Sequence, residues 1–113
     1  MKNLEKVLKA LADKNRIRIL KLLQTRKMCV CELAYVLGIT QPSTSRHLKK
    51  LKTACLIEDE QEGLWTNYFL SKANKPCCNV LTKKIHQWLK EDPIVKKDLV
   101  KAKKIDRTKL CCK

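Results

Sequence analysis

Two cysteines stand one residue apart at Cys29 and Cys31, directly ahead of a predicted helix. Thiolates select soft metals and metalloids, and the N-terminus of a helix lowers the pKa of a thiol placed there. A pyramidal ion such as As(III) or Sb(III) takes three thiolates, so this pair leaves one position open. We therefore expect Cys29 and Cys31 to bind a soft ion together with a third sulfur.

The third sulfur has several possible sources, because the chain contains seven cysteines. Adjacent cysteines bridge each other poorly, since a disulfide needs Cα atoms about 4.4–6.8 Å apart and a trans peptide holds them at about 3.8 Å. The adjacent pairs at 77–78 and 111–112 are therefore more typical of ligands than of structural bridges, and the last pair is also a candidate separate site. The spacing does not choose among Cys55, Cys77, Cys78, Cys111 and Cys112.

The spacing of Cys29 and Cys31 also predicts a mechanical consequence. On a regular helix, residues i and i+2 project about 200° apart and do not face each other. One ion that takes both sulfurs must then unwind or displace the first helical turn. Since that helix leads through Gly38 into the next one, we expect capture of a soft ion to disturb the next helix as well.

The helix after Gly38 carries the polar stretch QPSTSRHLKK, residues 41–50. Gln pairs with adenine and Arg with guanine in the major groove, while the other polar side chains bond bases or phosphates. The formal net charge of +15, from 26 basic and 11 acidic residues, favours a polyanionic partner. We expect double-stranded DNA to be contacted by Gln41, Ser43, Thr44, Ser45, Arg46, His47 and Lys50.

Hydrophobic spacing predicts the helices that position these residues. Apolar residues recur at helical spacing over residues 2–12. Asp13 is a suitable N-cap for a second helix over residues 14–24, and residues 25–28 are interpreted as a polar break. A short third helix is expected over about residues 30–37.

A helix-turn-helix is predicted next. Gly38 closes the third helix, and Thr40 caps a fourth one in which Pro42 is tolerated in the first turn. Leu48 and Leu51 are expected on the buried side of that helix. Two helices joined by so short a turn are typical of this motif.

The stretch LIEDEQEGLWTNYFLS predicts two strands around a turn at Glu62–Gly63. A hairpin that follows a helix-turn-helix is a wing. No Lys or Arg stands between residues 53 and 71, so this wing is acidic, with Glu58, Asp59, Glu60 and Glu62.

From about residue 74 the helical pattern returns, with an apolar stripe formed by Leu81, Ile85, Trp88 and Leu89. Asp92 is expected to cap a last helix that begins with Pro93. The predicted fold class is mainly α with a β-hairpin, a winged helix-turn-helix. We expect a DNA-binding and dimerisation domain over residues 1–92, followed by a C-terminal helix and a basic, cysteine-containing tail over residues 93–113.

A homodimer is predicted, because one small domain binds a single half-site weakly. The apolar faces at Leu4–Leu11 and Leu81–Leu89 are candidate dimer surfaces, with Trp88 as the strongest anchor. Zinc is disfavoured, because the chain has two histidines and no Cys-x-x-Cys pair. We interpret His86 as a structural or solvated residue.

The segments LADKNRIRILKLL, CVCELAYVLGITQPSTSRHLKKL and WTNYFLS resemble the ArsR/SmtB family of metal-sensing repressors, and in particular its arsenic-responsive branch. The resemblance runs from about residue 4 to 71, and more loosely to 90. It implies a homodimeric winged helix-turn-helix repressor that sits on the promoter of a resistance operon and leaves when its inducer binds. Cys29 and Cys31 match the inducer-binding pair of that branch, and residues 41–47 match its DNA-contacting helix.

Three features depart from the pattern of that family. Ala34 stands where members of the branch often carry a third cysteine, and Cys55 stands where relatives usually have the glycine that ends the recognition helix. The wing is acidic here, whereas relatives usually carry basic residues at its tip.

Other functions fit the residues less well. The alternative to a metalloid-responsive repressor is a thiol-based redox or Cd/Pb-responsive repressor of the same fold. An enzyme is not expected, because no Gly-rich phosphate loop or acid–base pair stands out, and a metal buffer would not need the QPSTSRHL face. We expect no organic cofactor, and the lack of a signal peptide or a long apolar run predicts a cytoplasmic protein that does not contact membranes.

Overall fold

The computed structural model of the chain describes residues 2–71 and 76–106. This part is mostly helical and holds one small antiparallel sheet, so the predicted class, mainly α with a β-hairpin, is confirmed. In chain order the elements are α1 (Lys2–Leu11), α2 (Lys14–Thr25), β1 (Met28–Cys29), α3 (Val30–Leu37), α4 (Gln41–Thr53), β2 (Ile57–Glu62), β3 (Trp65–Leu70), α5 (Pro76–Trp88) and α6 (Pro93–Lys103).

Three helices begin at the caps that the sequence predicts. The carboxylates of Asp13 and Asp92 each accept the backbone N–H groups two and three residues further on, at 2.8–3.2 Å. The hydroxyl of Thr40 accepts the N–H of Ser43 at 3.2 Å. These bonds satisfy donors that a helix leaves unpaired at its start, which is why α2, α4 and α6 begin where they do.

The helix-turn-helix is formed by α3 and α4. Gly38 ends α3 in the left-handed conformation, with φ 72°, and its N–H donates to the carbonyl of Ala34 at 2.9 Å. Glycine adopts this conformation without steric cost. Leu33, Leu48 and Leu51 are fully buried in the core that the two helices share with α2, so the turn and the core together set the direction of α4.

The sheet contains a strand that the sequence analysis missed. Strand order is β1-β3-β2, with Met28 paired to Tyr68 and Cys29 paired to Asn67. The expected polar break at residues 25–28 is wrong, because Thr25 closes α2 and Met28 is fully buried in β1. The hairpin forms as predicted, with its turn one residue later, at residues 63–64.

Helix α6 is fastened to α2 by a buried ion pair. Arg18 donates to both carboxylate oxygens of Asp98 at 2.8 Å. The bond to Asp98 raises the pKa of the Arg18 guanidinium, although burial opposes this. Val95 and Ala102 are buried on the same helix, which packs on α2 and α3. The expected domain division at residue 93 stays a prediction.

Helix α5 covers the core with only part of its apolar stripe. Ile85 is buried and Leu81 packs on the core, whereas Val80 and Trp88 are 58% and 71% exposed. Exposed apolar residues also lie on α1, where Leu4 and Leu8 face solvent. None of the helices in the described part of the chain has the length and apolar character needed to cross a bilayer.

Candidate DNA-binding helix and thiol site

The polar stretch of α4 lies mostly on the surface. Gln41, Ser45, Arg46 and Lys50 are exposed, and Ser43 and His47 are half-buried. Arg46 donates to the Ser43 hydroxyl at 3.0 Å, one turn away on the same face. These side chains are the short or bidentate types that read base edges and phosphates.

Thr44 departs from this pattern. It was expected on the exposed face, and this is wrong, because its side chain is 0% exposed. Its hydroxyl donates to the backbone carbonyl of Thr40 at 2.9 Å, which secures the first turn of α4. Hydroxyl side chains often bond back to the preceding turn in this way, so Thr44 stabilises the start of α4 from the inside.

Arg16 links α1 and α2 to the middle of α4. It donates to the carbonyls of Ala10 and Lys9 at 2.6 and 3.2 Å, and its Nη1 lies 3.3 Å from Nδ1 of His47. A guanidinium only donates hydrogen bonds, so this contact is a hydrogen bond when Nδ1 of His47 carries no proton. The sequence contains no local signal for this contact, because residues 16 and 47 meet only in the folded chain.

The carboxylates of the wing are all bonded within the protein. Their partners are the pairs Glu58–Ser71, Asp59–Lys52, Glu60–Lys27 and Glu62–Asn67, at 2.6–3.3 Å. The bond from Lys52 to Asp59 raises the pKa of that lysine and joins the end of α4 to the hairpin. Lys27 and Lys52 therefore hold the acidic wing against the rest of the protein, while the other two bonds lie within the hairpin and at its end.

Cys29 lies at the junction between β1 and α3, where it is the N-cap of the helix with φ −92° and ψ 170°. It is buried, its N–H donates to Glu32 Oε1 at 3.1 Å, and its sulfur faces the N–H of Glu32 in a capping box. The expectation that both cysteines sit on a regular helix, about 200° apart, is therefore wrong. The Cys-x-x-Glu spacing matches a capping box and was the sequence signal for this arrangement.

Glu32 extends the contacts of this helix start to α6. Its second oxygen accepts from Arg26 at 2.9 Å, and Arg26 also donates to the carbonyl of Ala102 at 3.2 Å. A cleft of about 700 Å³ lies beside these groups, and Asn67 and Asp106 also line it. The beginning of α3 is thus held by polar contacts next to an open cleft.

Cys31 connects the thiol pair to α4. It is half-buried, and its sulfur accepts a hydrogen bond from the side-chain amide of Gln41 at 3.6 Å. Gln41 is the first residue of α4. One atom of the candidate thiol site therefore touches one of the side chains expected to read DNA.

Cys55 ends α4 in a conformation that favours glycine. Its φ is +63°, and the N–H of Leu56 donates back to the carbonyl of Leu51 at 3.0 Å, as in a Schellman cap. Its sulfur lies 3.9 Å from the carbonyl of Thr53. Among the side chains that the structure describes, no three of Cys, His, Asp or Glu are arranged to hold a metal ion, so Cys55 does not join Cys29 and Cys31 here.

The other candidate third ligands fall outside what the structure describes. Cys77 and Cys78 lie in the first turn of α5, whose first side chains are not described, and Cys111 and Cys112 lie outside the described residues. Their role as ligands stays a prediction.

His86 lies on α5 with its side chain partly buried. Its two ring nitrogens are buried and have no hydrogen-bond partner among the described residues. Burial, together with the charge of Lys21, lowers the pKa of His86 to about 4, and Lys21 donates to the carbonyl of His86 at 3.3 Å. The imidazole is therefore neutral near pH 7.

The described site can now be compared with known proteins. The model of the family described as bacterial regulatory protein, arsR family, matches residues 13–59. The arsenic resistance transcriptional regulator ArsR1 of Pseudomonas putida is 33% identical over 93 residues, which cover 78% of this chain and 73% of the relative. The arsenical resistance operon repressor of Bacillus subtilis is 42% identical over 72 residues, 63% and 69% of the two chains. The cadmium resistance regulatory protein CadC of Listeria innocua is 32% identical over 63 residues, 55% and 53% of the two chains.

Solved structures show the same architecture. The homodimeric winged helix-turn-helix DNA-binding domain of Mb0332 from Mycobacterium bovis superposes with a TM-score of 0.67 at 26% identity, covering 81% of this chain and 82% of that one. Reduced HlyU from Vibrio cholerae gives a TM-score of 0.66 at 27% identity, covering 76% and 87%. The predicted winged helix-turn-helix is confirmed.

Proposed function

Since this chain belongs to the arsR family of bacterial regulatory proteins, we propose that it is a repressor of an arsenical resistance operon that As(III) or Sb(III) releases from its operator. The observation that carries this proposal is the hydrogen bond from Gln41 to the sulfur of Cys31 at 3.6 Å. This contact joins the sulfur that we propose as a soft-ion ligand to the first residue of the helix that we propose to face DNA.

The DNA-binding part of the proposal uses the exposed side chains of α4. Base edges would be read from the N-terminal half of the helix, where Gln41, Ser43 and Arg46 lie, and phosphates would be bonded by Ser45, His47 and Lys50. Thr44 is left out, because its hydroxyl is already bonded inside α4.

A homodimer is part of the same proposal. The exposed apolar side chains of α1 and α5, which are Leu4, Leu8, Val80 and Trp88, are the surfaces we assign to it. Burying one such side chain contributes about 1.5–3 kcal/mol, and two copies of α4 would then reach successive half-sites about 34–36 Å apart. The homodimeric state of the similar Mycobacterium bovis domain supports this assignment.

The donor chemistry of the thiol site fits a trivalent metalloid. Bound to thiolates, such an ion supplies strong, directional bonds to sulfur and takes the place of the protons on the ligands. Cys31 is partly accessible, and Cys29 lies two residues away at the cap, beside the cleft that Glu32 lines. These two sulfurs are the ligands we assign.

The third ligand is proposed from the five remaining cysteines, Cys55, Cys77, Cys78, Cys111 and Cys112. The last pair has one argument in its favour. Asp106 lines the same cleft as Glu32, and the five residues from there to Cys111 span at most about 17 Å. A sulfur of that pair is therefore within chain reach of the cleft.

The coupling follows from what the two sulfurs already contact. When the sulfur of Cys29 leaves the N–H of Glu32, the capping box at the start of α3 keeps only one of its two contacts, and loss of a capping side chain costs at most about 1 kcal/mol. When the sulfur of Cys31 is engaged elsewhere, the amide of Gln41 loses its acceptor. Both changes alter the start of α3 and the first residue of α4, and so weaken the fit of α4 to DNA.

The test uses an operator duplex selected from random DNA with the wild-type protein. Affinity is measured by fluorescence anisotropy with and without arsenite for the wild type, Cys29→Ser and Cys31→Ser. We expect arsenite to weaken wild-type binding at least about tenfold, equivalent to 1.4 kcal/mol, and to leave each variant bound. Lys97→Ala, an exposed change on α6, is the matched control and should respond like the wild type. Undiminished release in both serine variants would contradict the proposal.

A cadmium-responsive repressor is the second candidate, because CadC of Listeria innocua is also similar to this chain. Thiolates bind Cd(II) as well as As(III). The same titration with Cd(II) separates the two, since the true inducer releases the protein at the lower concentration. Release by a mild oxidant that is reversed by a thiol reductant would instead indicate a redox sensor.

A further inference from the structure

A basic groove beside α4 extends the surface assigned to DNA to residues of α1 and α2 that have no role so far. Between α1 and the C-terminal half of α4 there is a groove of about 410 Å³. Of the described residues that line it, none is acidic and six are basic, namely Lys6, Lys9, Arg16, Arg46, Lys49 and Lys50. Clustered cations along a groove attract an anion and raise its local concentration.

From this groove we propose that the protein grips the DNA backbone with α1 as well as with α4, and that Lys6 and Lys9 bind phosphates of the strand that borders α4. This rests on the proposed function, because it takes DNA as the ligand. A helix in the major groove has a phosphate strand on each side of it, since that groove is only about 12 Å wide. The groove lies along one such side of α4, with Arg46, Lys49 and Lys50 on its inner wall.

The faces of α1 leave its lysines available for this contact. Residues on a helix are offset by about 100° each, so the direction of Lys6 and Lys9 lies about 150° from that of Leu4 and Leu8. Val7, together with Ala10, is buried on the remaining side. A dimer that uses the exposed leucines therefore does not cover the basic face.

Arg16 makes the groove a preformed feature. Its guanidinium is held by the carbonyls of Ala10 and Lys9 and by Nδ1 of His47, at 2.6–3.3 Å. These bonds set the end of α1 against the middle of α4, so the two basic walls keep a constant spacing. Lys9 also pairs with Glu5 at 2.9 Å on the exposed surface, so part of its charge is already neutralised. Both lysines are therefore changed together in the test.

The experiment measures how operator affinity depends on salt. Anisotropy titrations with the selected duplex at several NaCl concentrations are made for the wild type, for Lys6→Ala/Lys9→Ala, and for the control Lys97→Ala/Lys104→Ala. The control removes the same charge from exposed lysines of the α6 region. Urea unfolding of each variant should give the wild-type midpoint, because all four lysines are exposed.

We expect the plot of log K against log salt to lose about 3.6 units of slope in Lys6→Ala/Lys9→Ala, since each phosphate contact contributes about 0.9 and the proposed dimer loses two contacts per subunit. Binding at low salt should fall about 10- to 100-fold. Random duplex should be weakened in the same proportion, because phosphate contacts carry no sequence information. The control variant should retain the wild-type slope.

Equal slopes for the two double variants would overturn the inference while leaving the proposed function intact. A wild-type protein that selects no operator would overturn both. A titration with inorganic phosphate tests the other possible ligand of the groove, which is a free anion. If it shifts the amide resonances of residues 6 and 9 with a Kd tighter than about 1 mM, the groove is a site for a free anion and the inference fails.

Discussion

The two ends of α3 are held in different ways. The C-terminal end is closed by backbone bonds at Gly38, and Arg18, which is bonded to the buried Asp98, reaches the carbonyl of Leu37 at 3.5 Å. The N-terminal end is capped by a cysteine, and the Arg26 that secures its Glu32 is 41% exposed. The C-terminal end is fixed by the fold, whereas the N-terminal end depends on a cysteine that we propose as a soft-ion ligand.

This difference indicates how binding of an ion at the cysteines would affect α4. The turn from Gly38 to Thr40 belongs to the fixed end of α3, whereas the side chain of Gln41 crosses from α4 to the replaceable end, at Cys31. The cysteine spacing alone predicts a disturbance that passes along the chain through Gly38. The hydrogen bond between Gln41 and Cys31 favours a side-chain route instead, because it involves a sulfur that we propose as a ligand.

The largest effect should come from removing Asp98 at the fixed end. Asp98→Ala leaves the partly buried Arg18 without its carboxylate partner, and since breaking a fully buried pair costs about 3–5 kcal/mol, we expect a loss of about 3 kcal/mol. Urea denaturation measures this loss in the free energy of unfolding. Glu91→Gln is the control, because Glu91 pairs with Lys96 in solvent and such pairs contribute at most about 1 kcal/mol. Equal losses in the two variants would show that the C-terminal end of α3 is not anchored as described.

A smaller loss is expected at the replaceable end. Glu32→Ala removes the acceptor for the Cys29 N–H and for Arg26, and we expect a loss of about 1–2 kcal/mol. Because the start of α3 is then less firmly held, arsenite should release DNA at a lower concentration than for the wild type. Glu32→Gln keeps an acceptor for the N–H of Cys29. Its stability and its arsenite midpoint should therefore lie between those of the wild type and Glu32→Ala. A loss as large as that of Asp98→Ala, or a higher arsenite midpoint, would contradict the contrast between the ends.

His86 on α5 should affect the stability of the protein without involving either end of α3. The pKa of His86 is about 4 in the folded protein against 6.5 for the free side chain. The unfolded chain therefore takes up the proton first, and the free energy of unfolding should fall as the pH drops from about 6.5 to 4. Each full pKa unit corresponds to 1.36 kcal/mol, and with allowance for partial exposure we expect about 1–2 kcal/mol. His86→Leu should remove this part of the pH dependence, and an unchanged slope would refute it.

The smallest effect is a gain in stability at the end of α4. Cys55 has φ +63°, a conformation that costs a residue with a Cβ about 1–2 kcal/mol. Cys55→Gly should raise the free energy of unfolding by about 1 kcal/mol after the extra backbone entropy of glycine is counted. Thermal or urea unfolding measures the gain, and a loss instead would mean that the thiol makes a stabilising contact. The arsenite midpoint of the same variant tests whether Cys55 is the third ligand.

Sequence reasoning succeeded where the cause of a feature is local. Asp13, Thr40 and Gly38 act within a few residues of the helix ends that they define, so their positions could be predicted. It failed where the cause is distant: Met28 and Cys29 form a strand only because Tyr68 and Asn67 pair with them.

The candidate site divides in the same way. The types of its residues and the cysteine spacing were visible in the sequence, but which groups touch was not. The burial of Thr44 depends on how α4 rotates against the core, and the bond from Arg16 to His47 depends on how α1, α2 and α4 pack. The contact from Gln41 to Cys31 is likewise set by the angle between α3 and α4, which no local pattern encodes.

The most direct test concerns the proposed coupling from Cys31 to Gln41. The side-chain amide of Gln41 is followed by nuclear magnetic resonance while arsenite is added to ¹⁵N-labelled protein. The account predicts that this amide shifts strongly and saturates at the same arsenite concentration as the backbone of Cys31, while the backbone amides of Gly38 and Thr40 move little. Shifts along Gly38 to Thr40 with an unmoved Gln41 side chain would contradict it, because the signal would then travel through the backbone turn.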